Sequence, residues 1–599
     1  MAIQRVLWVV LAMATVSLSC VQAQQAGSEM RVQEERLGTV PDDRLHERVT
    51  WHAKHIAWIM RRGAKSMVVV DGREGPEYDE IYVRIPRTFA LDTVEDGKLV
   101  SKEIPIKPDE SDISWLSWSR NGERLAYVAR HADKWFAVID GKEDPAYDEV
   151  RLPEFTEDNL HVVYQAKRAD KSFLVLDGRQ SSAYDGWAGG PWFSKNGGRV
   201  ACVAIRDGKQ IPLVDGEEGD PHDEIRRIVF SRDNERVGCI VVDGNKYSVV
   251  ADGKPGPAYN WIGGLEFGPD GKRVAYRALR GSGSVLVVDH EEGPEYDVVE
   301  THQEMGRSAF SPDGNRVAYW ACKEDKWVVV VDGREGPPYD RVSGLQFSSD
   351  SRHVAYEAAR DKKRFMVVVG TLKIAWNHVG DFRFSPDGSR WAYEAMAGGK
   401  WQMVIDGQPG PHYDWVTDFT FSPDGKRTAY WAGYGKEWSA VIDGELGPAY
   451  KSPGHPVFSP NSKRIAYSVA TGEGSLVIVD GQAGPRFDKV LFLPRFSPDS
   501  SRIAYSAETS GRQCVVLDGR PGARYDKIAE RSLVFSPDSN HIAYHAQTDG
   551  RHFMVVVDGR ESPRYDRIIA AYPTFDPQGA VEFLAIRDGT LYRVVISLQ

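Results

Sequence analysis

The side chains that could carry chemistry in this 599-residue chain recur at turns and are not gathered in one compact motif. The chain has no Gly-x-Ser-x-Gly nucleophile elbow, His-Glu-x-x-His zinc motif, phosphate-binding loop or dinucleotide fingerprint. His52 and His55 form a His-x-x-His pair beside a turn, where solvated histidines are expected. We therefore predict no catalytic residues, no metal site and no cofactor.

Turn aspartates are the most frequent of these groups. Asp313 and Asp332 are typical: one lies in Ser-Pro-Asp-Gly and the other in Asp-Gly. Their spacing is not that of a calcium-binding loop. A short carboxylate at such positions hydrogen-bonds to the backbone of its own turn, so we interpret these residues as turn caps.

The elements that position them form a repeat, seen clearly from Phe310 to Val342. Short apolar runs rich in Val, Tyr and Trp alternate with Gly, Pro, Asp and Ser, which is typical of strands separated by turns. The aromatic residue before the Ser-Pro-Asp-Gly turn marks each copy, mostly 37 residues apart. The markers are Trp118, Phe155, Phe193, Phe230, Phe267, Phe310, Phe347, Phe384, Phe421, Phe458, Phe496, Phe535 and Phe575. With a weaker copy at Val49 to Trp58, we count fourteen units.

A period near 37 with four short strands and no helical periodicity predicts an all-β fold of β-propeller blades. Because propellers usually have four to eight blades, we predict tandem propellers with about fourteen four-stranded blades, in two seven-bladed rings. The first would span residues 40–341, with an insertion at 85–112, and the second residues 342–599. A split into six and eight blades is the alternative, because the longest spacing, 43 residues, precedes Phe310.

The two ends of the chain predict how the last blade closes. The unit that begins at Phe575 stops at Gln599, before its outer strand could form. We predict that residues 42–45 supply that strand to the second propeller. Residues 24–39 are polar and predict a flexible arm.

Residues 1–23 resemble a signal peptide, with Arg5, an apolar core from Val6 to Val16 and a small-residue site ending at Ala23. The alternative is a lipid anchor on Cys20, in a weak lipoprotein-type box. No later run is long enough to span a membrane. We predict a periplasmic or secreted protein; the net charge of −11 argues against a nucleic-acid partner.

The recurring Phe-Ser-Pro-Asp-Gly-x-Arg-Val-Ala-Tyr pattern resembles the WD40-like (PD40) repeats of the TolB-type β-propeller family. The resemblance covers nearly the whole chain after the signal-type segment and implies propeller blades. It implies little about function, because such blades occur in binding proteins and beside peptidase domains. The chain lacks the α/β domain of that family, so the family's partners are not carried over.

Binding is expected on the face that carries the second-to-third strand loops and the fourth-to-first strand links, because these segments vary while the opposite turns are uniform. The loops often contain a basic residue before the third strand, and the links contain aromatic rings. The candidate binding residues are Trp187, Trp261, Trp415, His378, His455, Lys326 and Lys400. Loop solvation for the lysines and inter-blade packing for the rings are the alternatives.

We therefore predict an exported, non-enzymatic propeller scaffold that binds a protein or glycan partner of the cell envelope through this variable-loop face. Two alternatives remain open. One is a carbohydrate-active enzyme or lyase with an axial pocket, whose acid and base groups would converge from several blades. The other is a sensor of a small ligand.

Overall fold

The computed structural model describes residues 19–23, 30–39, 49–52, 55–81, 88–95, 98–105, 116–300, 309–369, 374–529, 532–569 and 573–598. These residues form β-strands and no helix. The strands pair into fourteen antiparallel blades and one separate hairpin, Thr88–Glu95 with Lys98–Pro105, inside the insertion. The predicted all-β architecture of fourteen four-stranded blades is confirmed.

Two turns set the strand boundaries within each blade, as the seventh blade shows. Ser311 donates its hydroxyl to Asp313 and accepts the backbone N–H of Arg316 at 2.9 Å, which closes the first turn. Asp332 and Gly333 have φ of 50° and 75°, the left-handed pair that a two-residue hairpin turn requires. Asp332 also accepts the backbone N–H of Val317 at 3.0 Å, so one aspartate joins the two hairpins of a blade.

The strands occupy four positions in each blade, and the inner half of the blade contains the first and second. First strands, some of them split, are Val49–His52, Glu80–Ile81 with Ser117–Trp118, Glu149–Val150 with Glu154–Phe155, Gly186–Phe193, Glu224–Phe230, Trp261–Phe267, Val298–Glu300, Arg341–Phe347, His378–Phe384, Trp415–Phe421, Ser452–Pro453 with Val457–Phe458, Lys489–Val490 with Arg495–Phe496, Lys527–Ile528 with Val534–Phe535, and Arg567–Ile568 with Thr574–Phe575. Second strands are His55–Arg62, Leu125–His131, Val162–Arg168, Val200–Arg206, Val237–Asp243, Val274–Arg280, Ala318–Lys323, Val354–Arg360, Trp391–Ala397, Thr428–Tyr434, Ile465–Thr471, Ile503–Thr509, Ile542–Thr548 and Val581–Arg587.

The outer half of each blade contains the third and fourth strands. Third strands are Lys65–Val70, Lys134–Ile139, Lys171–Leu176, Lys209–Val214, Lys246–Ala251, Gly283–Val288, Lys326–Val331, Lys363–Val368, Lys400–Ile405, Glu437–Ile442, Gly474–Val479, Arg512–Leu517, His552–Val557 and Thr590–Leu598. Fourth strands are Arg73–Glu74, Lys142–Glu143, Arg179–Gln180, Glu217–Glu218, Lys254–Pro255, Glu291–Glu292, Arg334–Glu335, Ala375–Trp376, Gln408–Pro409, Glu445–Tyr450, Gln482–Phe487, Arg520–Pro521, Arg560–Glu561 and Met30–Thr39. Ser19–Ala23 is a fifth strand on blade 14.

Blades pack face to face through aromatic rings of the repeat. Tyr339, from the outer part of blade 7, meets Tyr356 of blade 8 edge-on, with ring centroids 6.2 Å apart. The first strands of neighbouring blades lie next to each other, for example Glu224–Phe230 and Trp261–Phe267. They therefore form the inner edge of the assembly, and the fourth strands form its rim.

The fourteen blades form one ring, and the predicted division into two seven-bladed rings near Val342 is not shown. Blades 7 and 8 share a core in which Tyr339 packs with Leu345 and Tyr356, like any other neighbouring pair. Blades 14 and 1 share another, in which Leu584 and Leu591 pack with Met67. Two rings would instead pair blade 7 with blade 1. The repeat determines contacts between neighbours, but it does not determine the angle at which the series closes.

The last blade is completed by the strand Met30–Thr39, which we call the closing strand. It pairs antiparallel with Thr590–Leu598, from Met30 opposite Leu598 to Thr39 opposite Thr590. Residues 30–39 lie within the segment that the sequence predicted to be a flexible arm. The predicted closing segment, residues 42–45, lies outside the described residues.

Candidate functional site

The lysines of the variable-loop face are paired with aspartates of the same blade. Lys326 lies 2.6 Å from Asp340, and Lys400 contacts Asp414. The Lys326 ammonium group holds the pKa of the Asp340 carboxyl below its usual range, and Asp340 in turn raises the pKa of Lys326. The same pairing joins Lys65 with Asp79, Lys134 with Asp148, Lys171 with Asp185, and Lys209 with Asp223.

Each of these aspartates also reaches the following blade. The second carboxylate oxygen of Asp340 accepts the backbone N–H of Asp361 at 3.0 Å, and that of Asp414 accepts the N–H of Gly435 at 2.7 Å. The lysine–aspartate pairs thus hold the loops of neighbouring blades together. Lys326 and Lys400 remain about half exposed, and their role as binding residues stays a prediction.

Two of the predicted tryptophans are partly covered by their own surroundings. Trp187 is half-buried, with its ring 5.5 Å from that of Tyr184. Trp261 is also half-buried, and the Arg277 guanidinium lies 5.6 Å from the centre of its ring. Both rings therefore stabilise the blades from which they project, whatever else they contact.

The third predicted tryptophan, Trp415, is different because 57% of it is exposed. It lies opposite Gly433, whose missing side chain leaves room for the Trp438 ring on the third strand of the blade. Tyr434 follows Gly433 as the last residue of the second strand, beside the second-to-third loop, and is 49% exposed. One edge of blade 10 thus presents two large, accessible aromatic side chains on the variable-loop face.

The equivalent position of blade 9 extends this surface. His378 is exposed at the start of its first strand, and its ring lies 5.3 Å from Trp401. Tyr434 packs against Tyr413 of blade 9 at 5.2 Å, which connects the two blades. We call the set His378, Trp401, Trp415, Tyr434 and Trp438 the aromatic patch. His455, on blade 11, is half-buried, with its Nδ1 atom 2.9 Å from the carbonyl of Pro456.

A second group of polar side chains lies along the inner edge. In three second strands, the residue after the recurring tyrosine reaches the first-strand region of the next blade. Gln165, Arg277 and Trp431 each donate to a carbonyl there, at 3.3, 3.2 and 3.0 Å from Gly190, Val299 and Gly454. The slot therefore forms contacts between inner strands, and its residue type varies from blade to blade.

Blade 9 has Glu394 in this slot, beside two other carboxylates. Burial raises the pKa of Glu394 to about 7, and the nearby negative charges of Asp381 and Asp418 act in the same direction, while Arg383 opposes them. Asp418, on blade 10, has φ of 55° inside a strand, where the equivalent residues of blades 6 and 8 are Gly264 and Gly344. A carboxyl group that is partly protonated at neutral pH can both donate and accept a proton.

His55, the second histidine of the His-x-x-His pair, contacts two charged side chains. Its Nδ1 atom lies 2.6 Å from Asp71, the turn aspartate of its own blade, and 3.2 Å from Arg593 of blade 14. Within the ranges described above, no three His, Cys, Asp or Glu side chains are grouped so as to hold a metal ion. Those ranges also contain no helix long and apolar enough to cross a membrane.

Sequence reasoning missed Tyr434, Trp401, Trp438 and Glu394. Tyr434 ends its second strand where other units have a small or polar residue, such as Arg280, Arg360 and Ala397, and this difference could have marked it. Glu394 occupies the one variable slot of an otherwise uniform run, from Arg277 and Trp320 to Trp431. Variation inside a uniform repeat was the signal, as it was for the loops.

No protein-family description matches the chain, and no curated protein matches it. Among solved structures, it is similar to a crystal structure of the eukaryotic initiation factor, with 11% identity over 68% of this chain and 97% of that one, and a TM-score of 0.27. It is also similar to the Dos1 propeller, with 10% identity over 48% of this chain and 90% of that one, and a TM-score of 0.23. TolB from Acinetobacter baumannii is 15% identical over 43% of this chain and 79% of that one, with a TM-score of 0.20.

TM-scores this low carry no argument about shared architecture or function. The fold assignment rests instead on the pairing of strands into blades and on the packing between them.

Proposed function

We propose that this protein is an exported β-propeller scaffold of the PD40 type that binds a protein or another component of the cell envelope through its variable-loop face. The observation that carries the proposal is the aromatic patch of blades 9 and 10, where Trp415 and Tyr434 are about half exposed. The signal-type segment of residues 1–23 supports export to the periplasm or beyond.

The chemistry of the patch suits a partner that buries rings. Exposed Trp and Tyr on a rigid scaffold lose little conformational entropy on binding, and they are enriched among the residues that dominate interface energies. The half-buried rings of Trp401 and Trp438 support Trp415 and Tyr434 from within the blades. Truncating a central interface tryptophan commonly costs about 2 kcal/mol or more of binding free energy, roughly a 30-fold loss of affinity.

The test is site-specific photocrosslinking in the native envelope, followed by mass spectrometry. A photoreactive side chain at Tyr434 is expected to capture one component in stoichiometric amount, and Trp415→Ala is expected to abolish the capture. Leu160 is the matched control, because it is 68% exposed but lies at the uniform turn of blade 3, on the opposite face. Equal capture from both positions, or capture insensitive to Trp415→Ala, would count against the patch.

The Glu394 group favours a second candidate, a carbohydrate-active enzyme or lyase that acts at the inner edge. Glu394 would serve as the general acid or base, since burial raises its pKa to about 7, and Asp381 or Asp418 would be the second carboxylate. The test is turnover of a panel of envelope polysaccharides by the wild-type protein and by Glu394→Gln, with Glu357→Gln in the same slot of blade 8 as control. Activity that Glu394→Gln leaves unchanged would remove Glu394 from this role.

A further inference from the structure

The rim of the ring is protected against strand pairing in every blade but one. The fourth strands of blades 1 to 13 are mostly two residues long, and the two longest contain Pro448 and Pro485. Short edges and prolines prevent the pairing of an edge with another chain. The closing strand of blade 14 is ten residues long and contains no proline.

The two faces of the closing strand differ. Met30, Val32, Glu34 and Leu37 are buried against the blade. Arg31, Gln33 and Arg36 are exposed, and Glu35 is half-buried. The strand is therefore firmly attached by one face, while its outer edge offers backbone N–H and C=O groups beside a polar row of side chains.

The outer edge accepts an antiparallel strand, as the structure shows. Ser19–Ala23 pairs with it, with Val21 opposite Val32 and Ala23 opposite Met30. That strand belongs to the segment predicted to be removed on export. Cleavage after Ala23 would leave blade 14 with four strands, like the others, and would uncover the long edge.

The exposed row is complementary to itself. If two closing strands pair antiparallel about a two-fold axis through Gln33, residues whose numbers sum to 66 lie opposite each other. Arg31 then faces Glu35 of the second copy, twice by symmetry, and Gln33 faces Gln33. Opposite charges at directly facing positions stabilise a strand pair, and a symmetric pairing forms a closed dimer. The Oε2 atom of Glu35 lies 3.0 Å from Arg593, so the Oε1 atom would accept the hydrogen bond from Arg31 of the second copy.

We propose that removal of residues 1–23 uncovers the edge of the closing strand, and that the mature protein dimerises there by antiparallel pairing about Gln33. This inference rests on the export and cleavage included in the proposed function, but not on the aromatic patch. The two dimer halves would meet rim to rim, so both variable-loop faces would stay accessible.

The experiment uses the exported protein, purified after expression of the full 599-residue chain in a bacterium, with its N-terminus read by intact mass. Its oligomeric state is measured by light scattering across a micromolar concentration series. Gln33→Cys places two thiols directly opposite each other and is expected to give a disulfide-linked dimer. Arg31→Cys is the matched control, since the register separates its two copies by about 13 Å along the strand. The wild-type protein is measured in parallel and shows how much disulfide-linked dimer the native cysteines form by themselves.

Arg31→Glu tests the charge pairing without a crosslink. It converts both facing pairs into Glu–Glu contacts and is expected to weaken the dimer about tenfold. A dimer that crosslinks in the Gln33→Cys variant but not in the Arg31→Cys variant, and is weakened by Arg31→Glu, supports the proposal. A monomer after cleavage at Ala23, or a dimer indifferent to these variants, overturns it. Retention of Cys20 to Ala23 also overturns it, because the edge then stays covered; the photocrosslinking result would be unaffected.

Discussion

Glu34 joins the closing strand to the ring, and its removal tests how the blades close. The side chain is 7% exposed and accepts the hydroxyl of Tyr565 at 2.6 Å. It also accepts two bonds from the Arg587 guanidinium, at 3.0 and 2.8 Å. These contacts connect the N-terminal strand with blade 13 and with the second strand of its own blade.

Glu34→Ala would leave the Arg587 charge and the buried Tyr565 hydroxyl without their acceptor. Breaking a buried ion pair in this way costs about 3–5 kcal/mol, and the lower end applies here because Arg587 is 32% exposed. A loss of about 3 kcal/mol in the free energy of opening the closing strand corresponds to roughly 100-fold faster amide exchange. The expected change is confined to residues 30–39 and 590–598, which pair with each other.

The assay is hydrogen exchange by mass spectrometry, with Glu218→Ala as the matched variant. Glu218 makes the same contacts in blade 4, to Tyr184 at 2.7 Å and Arg206 at 2.6 Å. Its strand is joined to the third strand by a tight turn, so local opening is limited and we expect at most about a tenfold change. Unchanged exchange in Glu34→Ala, or equal effects in both variants, would refute the reasoning that the closing strand depends on this contact.

Two further predictions concern stability. His545 is 6% exposed and its Nε2 atom has no partner within the described residues; burial lowers its pKa to about 4, so it is neutral in the folded protein at pH 7. Because the pKa of His545 is about 6.5 in the unfolded chain, its neutral form contributes to the free energy of unfolding fully above pH 6.5, and about 3 kcal/mol of that free energy is lost as the pH falls toward 4. The dependence of the urea-derived free energy of unfolding on pH over this range should be absent in His545→Leu. An identical pH dependence in both proteins would exclude His545 as its source. Trp431→Phe should destabilise the protein by about 2–3 kcal/mol, because it opens a cavity and removes the hydrogen bond to the Gly454 carbonyl. Trp415 is exposed, so Trp415→Ala should change the free energy of unfolding by less than about 0.5 kcal/mol. Denaturant unfolding followed by circular dichroism measures both values, and equal losses would contradict the argument that Trp431 is buried and Trp415 is not.

The blade could be predicted from the sequence because its signals are local. The Ser311 turn and the Asp332-Gly333 turn each bond within a few residues or across one hairpin, and they recur often enough to be counted. The closing strand could not be predicted, because Met30 to Thr39 lacks both the Asp-Gly turn and the tyrosine that mark most other fourth strands and the residues next to them. Its role depends on the outer edge of Thr590–Leu598, a contact between the two ends of the chain.

A residue of the candidate site could be predicted from the sequence only where its position in the repeat is enough to decide whether its side chain is exposed. Trp187 is the second residue of its first strand and Trp415 is the first residue of its own, so they hold nearly equivalent positions in blades 4 and 10. Trp187 nevertheless packs beside Tyr184, whereas Trp415 is exposed. That difference depends on the strand of blade 4, which is one residue longer than its equivalents and has bulges around Gly189. Neither the packing of a ring against a bulge nor the burial of Glu394 can be seen in the repeat pattern.

In each repeat, some residues join neighbouring blades and others do not, and this difference explains where binding or catalytic residues can lie. Neighbouring blades are joined by turn residues, as when Arg316 bonds Asp332 at 2.9 Å and the carbonyl of Arg352 in the next blade at 2.7 Å. These links use backbone acceptors, so they do not depend on the residue types of the neighbouring blade. The aromatic residues of the variable-loop face and the residue in the inner-edge slot can therefore vary without disrupting the ring. Blades 9 and 10 use that freedom on both surfaces at once, with Trp415 and Tyr434 on the variable-loop face and Glu394 with Asp418 at the inner edge.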